Sequence, residues 1–406
     1  MKRIFLVIAI ICIGMITQAQ DPKKIMLPTG WALSPAGKSL ALGDLPLNMA
    51  VSKSKKLMAI TNNGQSTQSI QLINLVSNTI IDNINIDKSW LGIAFSADEK
   101  TLYASGGNDN WILKYSIINN KLKLTDSIKL GEKWPNKISP AGICINDAKN
   151  ILYVVTKDDS SLYEVNLVSK KIMNKTALPA EAYTCILSND NSELYISVWG
   201  AEKLLVYNTL SQKITSSIAT GTHPNDLILS KNGKTIYVAN GEDNSVSVID
   251  IKNRKVLETL NCALYPNAPV GSATNGVALS ADEKTLYIAN ADNNCLAVFD
   301  VSAVGNSKSK GFIPVGWYPT SVKVVGSKIY VTNGKGFSSF ANPLGPDPYN
   351  KNAQMAVQKG LLKNTKEVQY IGGLMKGTLS IINTPSEKQL GLYSAAVYEN
   401  TPYTKN

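Results

Sequence analysis

The chain is poor in the side chains that most often build polar catalytic centres: its 406 residues hold one histidine, five cysteines and only two arginines, Arg3 and Arg254. A single imidazole, His223, excludes the metal-dependent hydrolases and redox sites that need several histidines converging on one centre. The formal net charge of +11 is carried almost wholly by scattered lysines. Specific phosphate and base recognition favours the rigid bidentate guanidinium, so the excess reads as a solvated cationic surface and not as a nucleic-acid reader. No CxxC occurs, so neither a metal nor a redox motif is supported, and no GxSxG nucleophile elbow appears. Metal and cofactor are both expected to be none.

Long apolar runs are also scarce, with one exception. Lys2 and Arg3 precede an unbroken apolar stretch, 4–16, followed by Thr17, Gln18, Ala19, Gln20 and Asp21. A charged start, a short apolar middle and a small-residue exit describe a secretory signal peptide at 1–20, cleaved after Ala19 or Gln20. The run is too short to span a bilayer, and no second one approaches that length. Ile11 before Cys12 argues against lipidation, so a periplasmic or extracellular location without a membrane span is expected. Four cysteines then remain, Cys144, Cys185, Cys262 and Cys295, in apolar strand-like surroundings. Buried free thiols are the expectation, with disulfides the open alternative.

What the chain has in quantity is a repeat. Leu-Tyr segments centred on Tyr103, Tyr153, Tyr195, Tyr237, Tyr287 and Tyr330, with a degenerate first copy at Ala59, recur about every 45 residues, the period of a four-stranded propeller blade. In one copy 226–230 alternates as a strand, Asn232-Gly233-Lys234 turns, 235–240 forms a second strand and 245–251 a third, with a fourth over 256–260. Copies open near Leu45, Trp90, Ser139, Glu181, Thr222, Val270 and Trp317. The expected fold is all-β: a seven-bladed β-propeller of four-stranded antiparallel blades, with a blade-seven insertion and a short C-terminal helix. The last copy lacks an outer strand while 38–42 stands unpaired before the first, so the N-terminal segment is expected to close the ring and cover the open edges.

The segments YVAN at 237–240, YIAN at 287–290 and YVTN at 330–333 resemble the YVTN or YncE-like family of secreted seven-bladed propellers. The ends are more specific. Gly43-Asp44-Leu45-Pro46, GWYPTSV at 316–322, NGKG at 333–336 and YIGGLMKGTLSIINTP ending at Pro385 are similar to the propeller half of a bifunctional bacterial protein. In that family the propeller precedes an alkaline-phosphatase-superfamily phosphoesterase domain, whose metal-binding residues would lie past Asn406. The residues thus divide into a signal peptide at 1–20, a propeller over 21–384 with the insertion 335–368 in its last blade, and a C-terminal helix over 385–406, in which the resemblance implies a truncated linker.

Aromatic residues recur where one copy passes to the next: Trp90, Trp134, Tyr183, Tyr265, Trp317 and Tyr318, joined by His223. If the blades are equivalent these side chains ring one mouth of the channel, where aromatic faces with a few polar groups suit a small-molecule, glycan or peptide ligand; wedging of neighbouring blades is the other reading. Asn240, Asn290 and Asn333 read as turn residues bonding backbone, and Asp243 and Asp292 likewise. The insertion and the terminal helix depart from the repeat, so Leu361, Leu362, Leu390 and Tyr393 are candidates for a partner interface. Thr384-Pro385-Ser386-Glu387 has a capping-box pattern with proline at the first helical position.

Two functions of different class follow. The first is a secreted, non-catalytic, monomeric binding or scaffolding propeller, partnered with a phosphoesterase domain absent from the chain. The alternative is a propeller enzyme of lactonase type acting at the channel mouth. The scarcity of histidine and arginine weighs for the first.

Overall fold

Each copy of the repeat offers three strands rich in β-branched and aromatic residues and a fourth that alternates. The computed structural model describes residues 24–337, 345, 354–356 and 367–403. The signal-peptide reading of 1–20, Leu361 and Leu362, and most of the insertion lie outside the described residues. Blade five shows the pattern: Pro224–Leu229, Thr235–Asn240 and Ser245–Asp250 run inner to outer, and Lys255–Asn261 finishes the sheet. The two middle strands are buried on both faces because a neighbouring blade covers each one. The outer strand covers alternate residues only: Val256, Glu258 and Leu260 are partly or fully buried, while Lys255, Leu257, Thr259 and Asn261 are exposed.

Seven such four-stranded sheets follow one another around a channel, and the inner strands touch in a closed ring. Seven apolar seams fill the gaps between adjacent blades. The repeat tyrosines sit in them: Tyr237 lies between blades five and six, Tyr287 between six and seven, and Tyr330 between seven and one. Gly142 shows how closely inner strands approach, since a Cβ there would meet the Thr184 Cα at 2.4 Å. Hydrogen bonds reinforce the ring on its inner side, with Thr320 Oγ1 donating to the Pro46 carbonyl and Asn48 Nδ2 to that of Leu91 at 2.8 Å.

The N-terminal segment closes the ring. Lys38–Ala41 pairs antiparallel with Thr378–Asn383, matching Lys38 to Ile381 and Ala41 to Thr378, so blade seven borrows its outer strand from before blade one. In blades one to six the outer strand carries a bulge at one equivalent place, for example at Val248/Ile249 and Val298/Phe299. Bulges raise local twist. The borrowed strand pairs without one.

Two sequence expectations are corrected in detail. Asn240 and Asn333 bond mainly to side chains of the third strand, not to turn backbone, whereas Asn290 Nδ2 donates to the Cys262 carbonyl at 2.7 Å in the connection between blades. Asn240 Nδ2 donates to Ser245 and Ser247 Oγ at 2.9 and 3.0 Å, and Asn333 repeats this with Thr378 and Ser380. The C-terminal helix, Glu387–Glu399, is capped by Ser386, whose Oγ accepts the Gln389 N–H. Pro385 thus precedes the cap instead of opening the helix, because Thr384 is engaged by the Ser327 carbonyl. The four cysteines Cys144, Cys185, Cys262 and Cys295 are free thiols. Among the described residues no helix is long and apolar enough to cross a membrane.

Candidate functional site

Strands of a blade alternate in direction, so the connections between blades and the turns between second and third strands emerge on the same face. The blade-seven insertion starts on that face, after Lys328–Gly336. In every blade one apolar residue of the inner strand pairs one place past the repeat position: Met49, Ile93, Ile143, Cys185, Leu227, Val277 and Val322. The two residues before it, nearer the mouth, divide the channel into unlike halves. Blades one to three supply Leu47, Leu91, Gly92, Ala141 and Gly142, with Asn48 spent on the Leu91 carbonyl. Blades four to seven supply Tyr183, Thr184, Asn225, Asp226, Asn275, Gly276, Thr320 and Ser321, polar but for Gly276.

At the corner between blades four and five His223 holds a left-handed backbone, φ 52°, before Pro224. Such a conformation costs roughly 1–3 kcal/mol in a residue other than glycine and persists only where its surroundings impose it. The Gly241 N–H donates to the His223 carbonyl at 2.9 Å, and the Asp243 carboxylate accepts the Thr222 N–H. The imidazole stacks on Trp199, with centroids 3.8 Å apart and planes at 23°. Glu242 brings a carboxylate oxygen to 3.0 Å from Nδ1, though outside hydrogen-bond geometry, so Nδ1 has no bonded partner among the described residues. One ring face is therefore covered and one edge faces an acid that a small rotation would engage.

A second group lies at blades six and seven. Tyr318, φ 65°, occupies the position that His223 holds in blade five. Lys335 places its ammonium 4.3 Å from the Tyr318 ring centroid and 5.4 Å from that of Trp317. Burial pushes the Asp292 carboxyl above its ordinary value, with the Lys335 charge opposing, and burial together with Asp292 pushes the Tyr318 hydroxyl up. Deeper, Asp226 sits 3.5 Å from the Lys323 ammonium. Burial, then Asp226 and Tyr318, raise the Tyr183 hydroxyl. Asn225 donates to Asn275 Oδ1 at 3.2 Å, tying blade five to six, while its own Oδ1 is buried without a partner. Among the described residues no three His, Cys, Asp or Glu side chains gather into a metal-holding group.

The sequence-predicted residues do not form one ring. The connections between blades differ in length and place their aromatics at different depths. By strand register only His223 and Tyr318 share a position, whose counterparts are Leu45, Ser89, Ser139, Glu181 and Ala273. Trp90, ahead of its inner strand Ile93–Phe95, lies one step deeper, with the Lys157 ammonium 5.9 Å from its ring, and Tyr183 lies one step deeper again. Trp134 stands exposed in the connection from blade two to three. Tyr265 packs on Tyr398 at 5.6 Å, away from the channel, and Trp317 is buried against Leu27 and Leu33 as a wedge. Of the interface candidates, Leu390 is buried in the seam of blades six and seven and Tyr393 packs against the same seam, so the helix spends this face within the chain. Trp199, Glu242, Asp226, Lys323 and Lys335 escaped the sequence reading, and Asp292 passed as a turn residue. One signal was available: Glu242, Asp292 and Lys335 each fall two places after the asparagine of YxxN.

Comparison with known proteins bears on this arc. The model of a lactonase family of seven-bladed β-propellers matches residues 184–335. A solved chain of hydrazine synthase from Kuenenia stuttgartiensis superposes with a TM-score of 0.62, covering 72% of this chain and 93% of its own, at 16% identity. At that identity the likeness shows the fold alone. A comparison with curated proteins finds no match. The expectation of a non-catalytic module is corrected by the family match, which is to a family of enzymes. That expectation counted histidines and arginines, whereas the mouth is furnished with lysine, tyrosine and carboxylates from turns. The chain is a seven-bladed β-propeller whose blades four to six and the two inner strands of blade seven are similar to those of the lactonase family.

Proposed function

We propose that the protein is a propeller hydrolase of lactonase type that opens a cyclic ester at the channel mouth. One observation carries the reading: the segment similar to the lactonase family, 184–335, is the same arc of blades four to seven that lines the mouth with polar and ionisable groups. In the proposed step His223 takes a proton from water as the water oxygen bonds to the carbonyl carbon. The tetrahedral oxyanion then collapses, the ring C–O bond breaks, and the departing oxygen takes that proton, leaving a hydroxy acid. Glu242, 3.0 Å from Nδ1, offsets the charge of the imidazolium, and Trp199 fixes the ring plane. Lys335 supplies the positive charge that a developing oxyanion requires, and Tyr318 a hydroxyl for the ester oxygens.

Proton release in a pH-stat, measured on unsubstituted and hydroxylated γ- and δ-lactones, tests the activity. Ring opening above the buffer rate is expected for at least one class, and buffer rates throughout would overturn the reading. The proposal places the enzyme outside the cytoplasm, on the support of Lys2, Arg3 and the apolar run 4–16. A reporter enzyme fused after residue 20 should then be exported. Association with a phosphoesterase, supported only by the likeness of the chain's two ends, is tested by co-purification with such a domain.

A further inference from the structure

A cleft of about 1060 Å³ opens beside blade six, on the mouth face but outside the channel. Ligand-binding clefts run to about 300–1,000 Å³, so the space is ample for several rings of a chain-like molecule. Its aromatic wall is built mostly by elements that no blade requires. Trp31 comes from the N-terminal segment, Tyr398 and Tyr403 from the C-terminal helix and the residues after it, and Tyr265 from the connection between blades five and six. The two terminal segments are locked together: the Ala32 N–H donates to the Asn400 carbonyl at 2.8 Å, and Asn400 Nδ2 donates to Ser34 Oγ at 2.8 Å. The helix in turn is seated on the outer strand of blade six, where Ser394 Oγ accepts the Phe312 N–H at 2.9 Å.

The rings are held before any ligand arrives. Tyr398 donates its hydroxyl to the Leu264 carbonyl at 3.0 Å, and the Tyr265 hydroxyl meets Thr401 Oγ1 at 3.3 Å. Trp31 stands edge-on to Tyr403 at 5.9 Å, and Tyr265 edge-on to Tyr403 at 6.3 Å. With their hydroxyls engaged, Tyr265 and Tyr398 present ring surface, and Tyr403 is 61% exposed. The cleft is also lined by Asp292, an exposed carboxylate that accepts no hydrogen bond from the described residues. An ionised carboxylate has acceptor sites only, so with no protein donor on it Asp292 is open to the O–H groups of an occupant.

We infer that this cleft is a binding subsite for a neutral oligosaccharide, which stacks C–H faces of its rings on Tyr265, Tyr398 and Tyr403 and donates hydroxyls to Asp292. The competing occupants fit less well. A proline-rich peptide brings few N–H donors to Asp292. An anionic ligand meets a carboxylate and no arginine. An organic cation approaches a chain of formal net charge +11. The inference is independent of the hydrolase reading, since binding is measured without turnover.

The test uses the full mature chain and isothermal titration with maltohexaose, cellohexaose, xylohexaose and chitohexaose, and in parallel an octaproline peptide. Saturable binding of at least one oligosaccharide is expected. Tyr403→Ala, at an exposed side chain, should weaken it about tenfold, as loss of one aromatic contact implies, with the melting temperature unchanged. Asp292→Asn, which keeps the shape but halves the acceptor capacity, should weaken it in the same direction. Silence from all four saccharides, binding that ignores Tyr403→Ala, or binding of octaproline alone would each overturn the inference.

Discussion

Replacing Leu42 by alanine probes the borrowed strand that closes the propeller. Leu42 is 6% exposed and fills the seam of blades seven and one with Met49, Met58, Tyr330 and Leu379. Its N–H donates to the Gly377 carbonyl at 2.9 Å, so the backbone at this point is already committed to blade seven. Truncating a buried leucine costs about 2–5 kcal/mol, the spread reflecting how far the cavity collapses. Unfolding entropy of about 2.1 cal/mol/K per residue amounts to about 0.8 kcal/mol/K over roughly 380 residues, so the melting temperature should fall by about 3–6 °C. Lys38→Ala, at an exposed position of the same strand, should change stability by no more than about 0.5 kcal/mol, under 1 °C. Differential scanning calorimetry at one scan rate distinguishes the two. A chain begun at Asp44 loses Leu27, Leu33 and Leu42 from the interior together, about 1.5–3 kcal/mol each, which approaches the whole stability of a domain. Leu42→Ala melting with the wild type, or the shortened chain melting with the full one, would refute ring closure by this segment.

Asp292→Asn should stabilise the fold at neutral pH and not in acid. Burial raises the folded carboxyl above its reference of 3.8, so its ionisation cost is absent below that value and grows as pH rises through the raised one. An equal change in melting temperature at both pH values would contradict this. Asp98, Asp190 and Asp282 behave oppositely. Each accepts first from the serine two places before it, which holds its carboxyl below 3.8, to about 2 for Asp190. Their support is present above 3.8 and lost as pH falls through the lowered values, and carbon-detected NMR titration should find all three below the ordinary range; ordinary values would refute the serine–aspartate turn bonds. Burial raises the Cys262 and Cys295 thiols, so a disulfide-exchange reagent should leave both unreacted in the native mature chain and count four thiols after denaturation. A count below four would show a disulfide.

The ring was legible in the sequence because blade packing imposes a pattern that survives substitution. Tyr153 and Tyr195 keep their place in a seam although neither is followed by the Asn of YVTN, since the buried ring fills the seam without the rest of the motif. The closing strand was legible too, because the last copy lacked a fourth strand and 38–42 had no other partner. The mouth was less so. Its chemistry comes from turns, and Glu242, Asp292 and Lys335 look like any solvated turn residue until register places them on one face. Tyr265 and Trp134 were assigned to the mouth on the premise that connections are equivalent, but those of 130–139 and 262–273 run long and carry their aromatics outward. The stacking of Trp199 on His223 joins a turn of blade four to the start of blade five, a contact that no local pattern encodes.

The most direct measurement is kcat for lactone opening in His223→Asn, a substitution that tolerates the left-handed backbone at this position. Loss of a general base lowers the rate by about 10²–10⁴-fold. The account predicts a fall of that size with an unchanged melting temperature, while Trp134→Ala, exposed and outside the arc of blades four to seven, retains the wild-type rate. A His223→Asn protein that is folded and opens lactones at the wild-type rate would contradict it.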